Sequence, residues 1–203
     1  MRPVFFALFL LAPLFVAGAD SGARAEDRKA ASLAGKLLVA APSMMDPRFR
    51  GTVIYMCEHT PDGALGLILN REMATVPGAA IADQFELKTE ARQGEYRVIW
   101  GGPVEYGRGF VLHSTDYLRE DSLVVDDGVA LTTDSQILID MLEGNGPKRT
   151  LLALGYAGWA AGQLESELMR DDWITVPGDA EFVFTEDAEG MWDAAMMRLG
   201  IDL

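Results

Sequence analysis

Leu154–Leu168, LGYAGWAAGQLESEL, joins a strand to a helix through the glycines at 155, 158 and 162. The apolar run Thr150–Leu154 enters it with the short, continuous character of a buried strand, and Gln163-Leu164-Glu165 opens a helix that runs to about Arg170. Gly158 and Gly162 are four residues apart, a spacing that brings a helix face close to a sheet, with Trp159 filling the gap. In that reading the segment is core. A second reading sets Tyr156, Trp159 and Gln163 around a pocket, because small-molecule sites use aromatic walls and a few polar groups. Glu165, Glu167, Asp171 and Asp172 then form an exposed acidic rim.

Outward from this segment, period-two alternation and short apolar runs predict strands at Lys36–Ala41, Thr52–His59, Ala64–Leu69, Arg97–Trp100, Gly109–His113, Ser122–Val125, Trp173–Val176 and Phe182–Phe184. Helices are fewer. One follows Thr133, which with Gln136 makes a capping box, and ends at Gly144 with Ile137, Leu138, Met141 and Leu142 toward the core. Another, Glu186–Leu199, carries Met191, Trp192, Ala195, Met196 and Leu199 on one stripe, and a weaker one covers Ala79–Phe85. Many strands of uneven spacing with few helices predict an α+β fold rather than a doubly wound parallel sheet.

The 203 residues, 49% hydrophobic and 24% charged, suit one domain with a substantial core. Net charge is −14, and such a surface repels phosphates, so direct nucleic-acid binding is not expected. Arg2, the apolar run Val4–Val16 and the small-residue sites Ala17-Gly18-Ala19 and Ala23-Arg24-Ala25 spell a secretory signal peptide over 1–25, cut after 19 or 25. The run is too short for a spanning helix, which takes about 20 apolar residues. Residues 26–34 read as a linker and 35–203 as the folded domain, exported and periplasmic. A misassigned start would make the protein cytosolic. Cys57 stands alone, so no internal disulfide forms.

Strict alternation along Thr52–His59 places Cys57 and His59 on one face, the minimum for a thiol and imidazole pair. Residues two apart on a strand stand side by side, however, and a free cysteine among apolar neighbours is ordinarily a small core hydrophobe. His59 precedes the turn Thr60-Pro61-Asp62-Gly63, where it binds a ligand or holds the turn. Asn70 ends the returning strand, either capping the chain or facing a ligand. His113, Ser114 and Asp116 invite a hydrolase reading, but neighbouring strand residues point to opposite faces and no Gly-x-Ser-x-Gly elbow is present. Gly63-x-x-Gly66 lacks the ending of a phosphate loop, and neither HExxH nor paired CxxC occurs. No cofactor and no metal are expected.

Three segments carry a resemblance to a known family: Pro42–Asn70 with Asp46-Pro47 and Cys57-Glu58-His59, Gly101–Ser114 with Gly101-Gly102-Pro103, and Leu154–Leu168. Together they resemble the AlgH/YqgE family, departing from it at Arg71-Glu72, where relatives place a basic residue and proline. The resemblance implies a compact domain with a barrel-like, bifurcated sheet flanked by helices, and a family without a settled biochemical activity. Its naming implies a regulator of transcription. The expectation is therefore a non-enzymatic binding or regulatory protein acting through an unknown protein or small molecule. The alternative is a thiol- or histidine-dependent hydrolytic enzyme using Cys57, His59 and His113.

Overall fold

The computed structural model describes residues 32–200, so the expected signal peptide and residues 26–31 of the expected linker lie outside the described residues. The strands are β1 (Lys36–Ala40), β2 (Val53–Thr60), β3 (Gly63–Ile68), β4 (Glu72–Pro77), β5 (Glu95–Trp100), β6 (Val104–Ser114), β7 (Leu123–Val124), β8 (Val129–Thr132), β9 (Thr150–Ala160) and β10 (Trp173–Pro177). The helices are α1 (Gly78–Gln84), α2 (Gln136–Leu142), α3 (Gln163–Met169), α4 (Ala180–Val183) and α5 (Met191–Met197). This is the expected α+β class.

The sheet follows the order β10-β1-β2-β3-β9-β6-β8-β7 and splits at β9. One side of β9 faces β6. Its other side pairs in parallel with β5 through Leu152–Leu154 and antiparallel with β3 through Ala157–Ala160, so one strand serves two branches. β9 is longer than the strand expected at Thr150–Leu154. Its glycines lie within or beside the sheet, and Gly155 at φ +71° sits between the two branches.

Each face of the sheet buries its own core. On one, Leu37, Val53, Tyr55, Cys57, Leu112 and Ala153 pack against Phe182 and Val183 of α4 and Met191, Ala195 and Met196 of α5. The Trp192 indole N–H donates to the Ala40 carbonyl at 2.9 Å and fastens α5 to β1. The opposite face carries two clusters. Ile54, Met56, Ala157, Trp159 and Trp173 pack with Leu164 of α3, while Val111 and Leu152 pack with Ile81 of α1 and Ile137, Leu138 and Met141 of α2.

Three local expectations are corrected. The Thr133 capping box does not form: Ser135 is the N-cap without a side-chain bond, and it is Asp134 that accepts from the Gln136 N–H. Phe182–Phe184 is not a strand, because Asp179 accepts from the Phe182 N–H and starts the short helix α4. The helix expected at Glu186–Leu199 begins only at Met191, after Asp187 accepts from the Gly190 N–H.

Candidate functional site

The alternation of β2 breaks at a bulge between Met56 and Glu58, where the pairing passes from Met56↔Gly66 to Glu58↔Leu65. The inserted residue reverses the faces beyond it. Cys57 stays in the core with Tyr55, whereas His59 pairs with Ala64, which packs in the α3 cluster. The expected shared face of Cys57 and His59 is therefore corrected.

Cys57 is 2% exposed, its Sγ lies 3.7 Å from the Tyr55 carbonyl, and burial pushes the thiol well above its ordinary pKa. Such a sulfur is not a nucleophile in waiting. His59 Nδ1 accepts from the Leu33 N–H at 3.1 Å, so Nε2 carries the proton and donates to Glu165 at 3.0 Å. It ties the first described residues to α3. The same bond helps hold the Glu165 carboxyl below its usual range, second to a backbone hydrogen bond of its own.

His113 is fully buried. Its Nδ1 lies 3.1 Å from the Ser114 carbonyl, which only accepts, so Nδ1 is the protonated nitrogen and Nε2 accepts from the Thr132 hydroxyl at 2.9 Å. Ser114 turns away, donating to Asp116 and accepting from the Arg149 N–H at 3.1 Å. Cys57, His59 and His113 are not brought together, and each spends its polar atoms on a different structural partner.

Burial lowers the His113 pKa, against smaller raising effects from the Ser114 carbonyl, Asp116 and Asp121. A depressed histidine pKa means that the unfolded chain binds the proton more readily. Its stabilising contribution is therefore full above pH of about 6.5 and declines as pH falls from there through the folded-state pKa. The expected slope in urea unfolding is at most about 1.4 kcal/mol per pH unit, and His113→Asn is expected to flatten it. Equal slopes in wild type and variant between about pH 5 and 7 would contradict this assignment.

Asn70 is a clamp. Its Oδ1 accepts from the Val53 N–H at 2.9 Å and its Nδ2 donates to the Gly51 carbonyl at 2.8 Å, pinning the turn that leads into β2. Asn70→Ala is expected to lower unfolding free energy by about 2 kcal/mol in urea titrations, and Asn70→Asp, which keeps only the acceptor, by about half as much.

The remaining candidates lie around β9 and α3. Trp159 and Gln163 come together, and Tyr156 does not join them. It sits on the other face, edge-on to Phe110 with ring centroids 5.7 Å apart. Gly162 at φ +72° turns the chain into α3, and Gln163 Oε1 accepts from the Ala160 N–H at 3.1 Å across that turn. Glu167, one helical turn on, points the same way. Its Oε2 accepts from the indole N–H groups of both Trp159 and Trp173, each at 2.8 Å, and its Oε1 accepts from Gln163 Nε2 at 2.9 Å.

The exposed acidic rim expected to include Glu167 is corrected at that residue, which is half-buried and ties the site together. The spacing held the signal: indoles eight residues before it and six after it both need acceptors when buried.

These side chains border a cavity of about 450 Å³ that also meets Met45, Asp46, Arg48, Phe49 and Pro103. All three segments that carried the family resemblance thus contribute to one concavity. Arg48 grips Asp46 with Nε at 3.0 Å and Nη2 at 2.6 Å, which holds the Asp46 carboxyl below its ordinary range. A second cavity, about 540 Å³, lies between α1, α2 and the β5-β9-β6 branch. Its walls are largely apolar, with Val76, Ile81, Val98, Leu138 and Leu152 beside Phe85, Tyr106 and Phe110, and carry a polar edge at Thr132–Ser135; the aliphatic members read in sequence simply as core. Among the described residues no group of three or more His, Cys, Asp or Glu could hold a metal ion, and no helix is long and apolar enough to cross a membrane.

A half-barrel sheet split at one strand and flanked by short helices, with its sequence-marked segments meeting at a Trp-lined cavity, defines an AlgH-type α+β protein. The AlgH-like family model, DUF179, matches residues 37–203, and the chain belongs to this family. A UPF0301 protein of Rhodospirillum rubrum is 49% identical over 170 residues, 84% of this chain and 88% of that protein. One of Jannaschia sp. is 47% identical over 172 residues, 84% and 90% of the two chains. The solution structure of the AlgH protein from Pseudomonas aeruginosa superposes with a TM-score of 0.72 at 38% identity, covering 84% of this chain and 90% of that one. A crystal structure of protein DIP2367 from Corynebacterium diphtheriae shares the fold at a TM-score of 0.61, with 20% identity over 81% and 85% of the chains.

Proposed function

We propose that this AlgH-like protein is a non-enzymatic binding protein, exported by its leader, that acts through contacts with a protein or small molecule at the cavity beside α3. The observation that supports it most is the meeting of Trp159, Gln163 and Glu167 with the Asp46 loop and Pro103 around one opening. The separate structural employment of Cys57, His59 and His113 weighs against the hydrolytic alternative, since a general base must lie within hydrogen-bond or one-water reach of its nucleophile. Regulation of transcription, suggested by the family's naming, would run through a partner, because a chain of net charge −14 is repelled by nucleic-acid phosphates.

The test is a titration of the ¹⁵N-labelled protein with a set of uncharged aromatic and aliphatic fragments, followed by NMR at the Trp159 and Trp173 indole N–H signals. Saturable shifts centred on those two indoles are expected. Ester or thioester turnover that disappears in Cys57→Ser would overturn the reading in favour of the enzyme.

A further inference from the structure

The cavity beside α3 carries a charge that its own residues leave uncancelled. Of its rim cations, Arg48 is bound to Asp46 and Arg170 to Asp172, the latter at 2.9 Å. Glu167 is matched differently, by two indole N–H groups and a carboxamide. Neutral donors satisfy lone pairs without cancelling a charge. In a half-buried setting, where less of the field passes through water, that charge draws a cation more strongly than a fully exposed carboxylate does.

The walls suit the same guest. Phe49 stands edge-on to Trp173 at 5.5 Å and 74°, and Trp173 edge-on to Trp159 at 6.1 Å and 79°. Aromatic faces carry the negative part of the ring quadrupole and attract ammonium and guanidinium groups. The protein already makes one such contact here, with Arg48 Cζ 5.5 Å from the Phe49 centroid while its fork holds Asp46.

Building on the binding reading of this cavity, we infer that its ligand is an organic cation, an ammonium or guanidinium group on a short apolar stem. The charge lies against Glu167 and the stem runs past Phe49 toward Met45. Met45 is 83% exposed at the opening, and its flexible thioether adapts to stems of different shape. A volume of about 450 Å³ leaves ample room for a planar head with a few methylenes. The net charge of −14 works in the same direction at long range, attracting cations and repelling anions. A free small amine and a Lys or Arg side chain of a peptide share this chemistry.

The test uses the full chain and a series of probes matched in size: n-butylguanidinium, its uncharged counterpart N-butylurea, and the anion pentanoate, each followed at the Trp159 and Trp173 indole N–H signals. Butylguanidinium is expected to shift both saturably, N-butylurea to require at least about tenfold more, and pentanoate to shift neither. Raising salt from about 0.02 to about 0.5 M is expected to weaken the cation several-fold and leave the urea unchanged. Glu167→Gln is expected to lose about tenfold for the cation alone. If that variant does not fold, the probe series and the salt dependence on the wild-type chain still decide.

A blocked peptide, acetyl-Gly-Arg-Gly-amide, that binds more tightly than butylguanidinium assigns the cation to a peptide; equal or weaker binding assigns it to a free small molecule. Equal responses to butylguanidinium and N-butylurea overturn the cation inference and leave the binding reading standing. Indole signals that respond neither to this series nor to the uncharged fragments overturn both.

Discussion

Gly102→Ala is expected to cost about 4 kcal/mol or more and to leave little folded protein near physiological temperature, measured as urea and thermal unfolding monitored by tryptophan fluorescence. Gly102 has φ +152°, and a Cβ built there falls 2.2 Å from the Tyr156 carbonyl carbon and 2.3 Å from the Ala157 nitrogen. Those atoms are backbone of β9 where its β3-paired branch begins, so they cannot yield as a side-chain tip would. The approach is mutual: a Cβ on Gly155, at φ +71°, falls 2.6 Å from the Gly102 carbonyl oxygen. The bend at Gly101-Gly102-Pro103 and the interruption in β9 thus fit backbone to backbone. Neighbouring bonds lock the arrangement, with the Gly101 N–H donating to Leu154 and the Ile68 N–H donating to Gly101, both at 2.9 Å. Gly107→Ala, at a position with nothing within 4 Å of the added carbon, is the control and is expected to change stability by less than about 1 kcal/mol. Similar small losses in both variants would show that the sheet does not depend on this close approach.

The two glycines also mark how far the sequence could be read. A double glycine before proline is a local signal for a sharp bend with close backbone approach, yet nothing local names β9 as the neighbour. β1, β2, β3 and β5 were legible because their buried faces alternate or run continuously apolar. β4 was not: its residues are nearly all exposed, so no hydrophobic period marks them. β8 was missed for the opposite reason, being four residues buried throughout and too short to show any period. The parallel pairing of β5 with β9 is a relation between distant segments, and it decides the bifurcation.

At the candidate site, the extra residue at the β2 bulge undid the shared face read for Cys57 and His59. A period-two argument holds only until one residue is inserted. Trp159 and Gln163 were found because they adjoin in sequence on either side of a turn. Tyr156 was grouped with them by nearness along the chain, although an offset of three on a strand puts two side chains on opposite faces. Glu167 was passed over as one acid among several. What singles it out is the pair of indoles that converge on it from β9 and β10.

Glu167→Leu is the second substitution of large expected effect, lowering unfolding free energy by about 3–5 kcal/mol. Trp159 and Trp173 are only 7% and 4% exposed, so their indole N–H groups would lose their acceptor without gaining water, at about 1–3 kcal/mol each. A double-mutant cycle separates this from lost packing. Trp159→Phe removes one donor and most of one ring's excess volume. It is expected to cost less in the Glu167→Leu background than in the wild-type chain, with a coupling of about 1 kcal/mol or more. Additive losses would mean that the indole bonds are incidental to stability. Glu167→Gln divides the residue's two roles. The carboxamide keeps an acceptor oxygen for the indoles and removes the charge, whose partial desolvation is itself a cost to folding. Stability is therefore expected to change far less than in Glu167→Leu, while attraction for cations falls. A carboxylate kept only to satisfy two tryptophans would show a different pattern: glutamine would preserve stability and leave probe affinity unchanged, and the charge of the probe would make no difference to its binding.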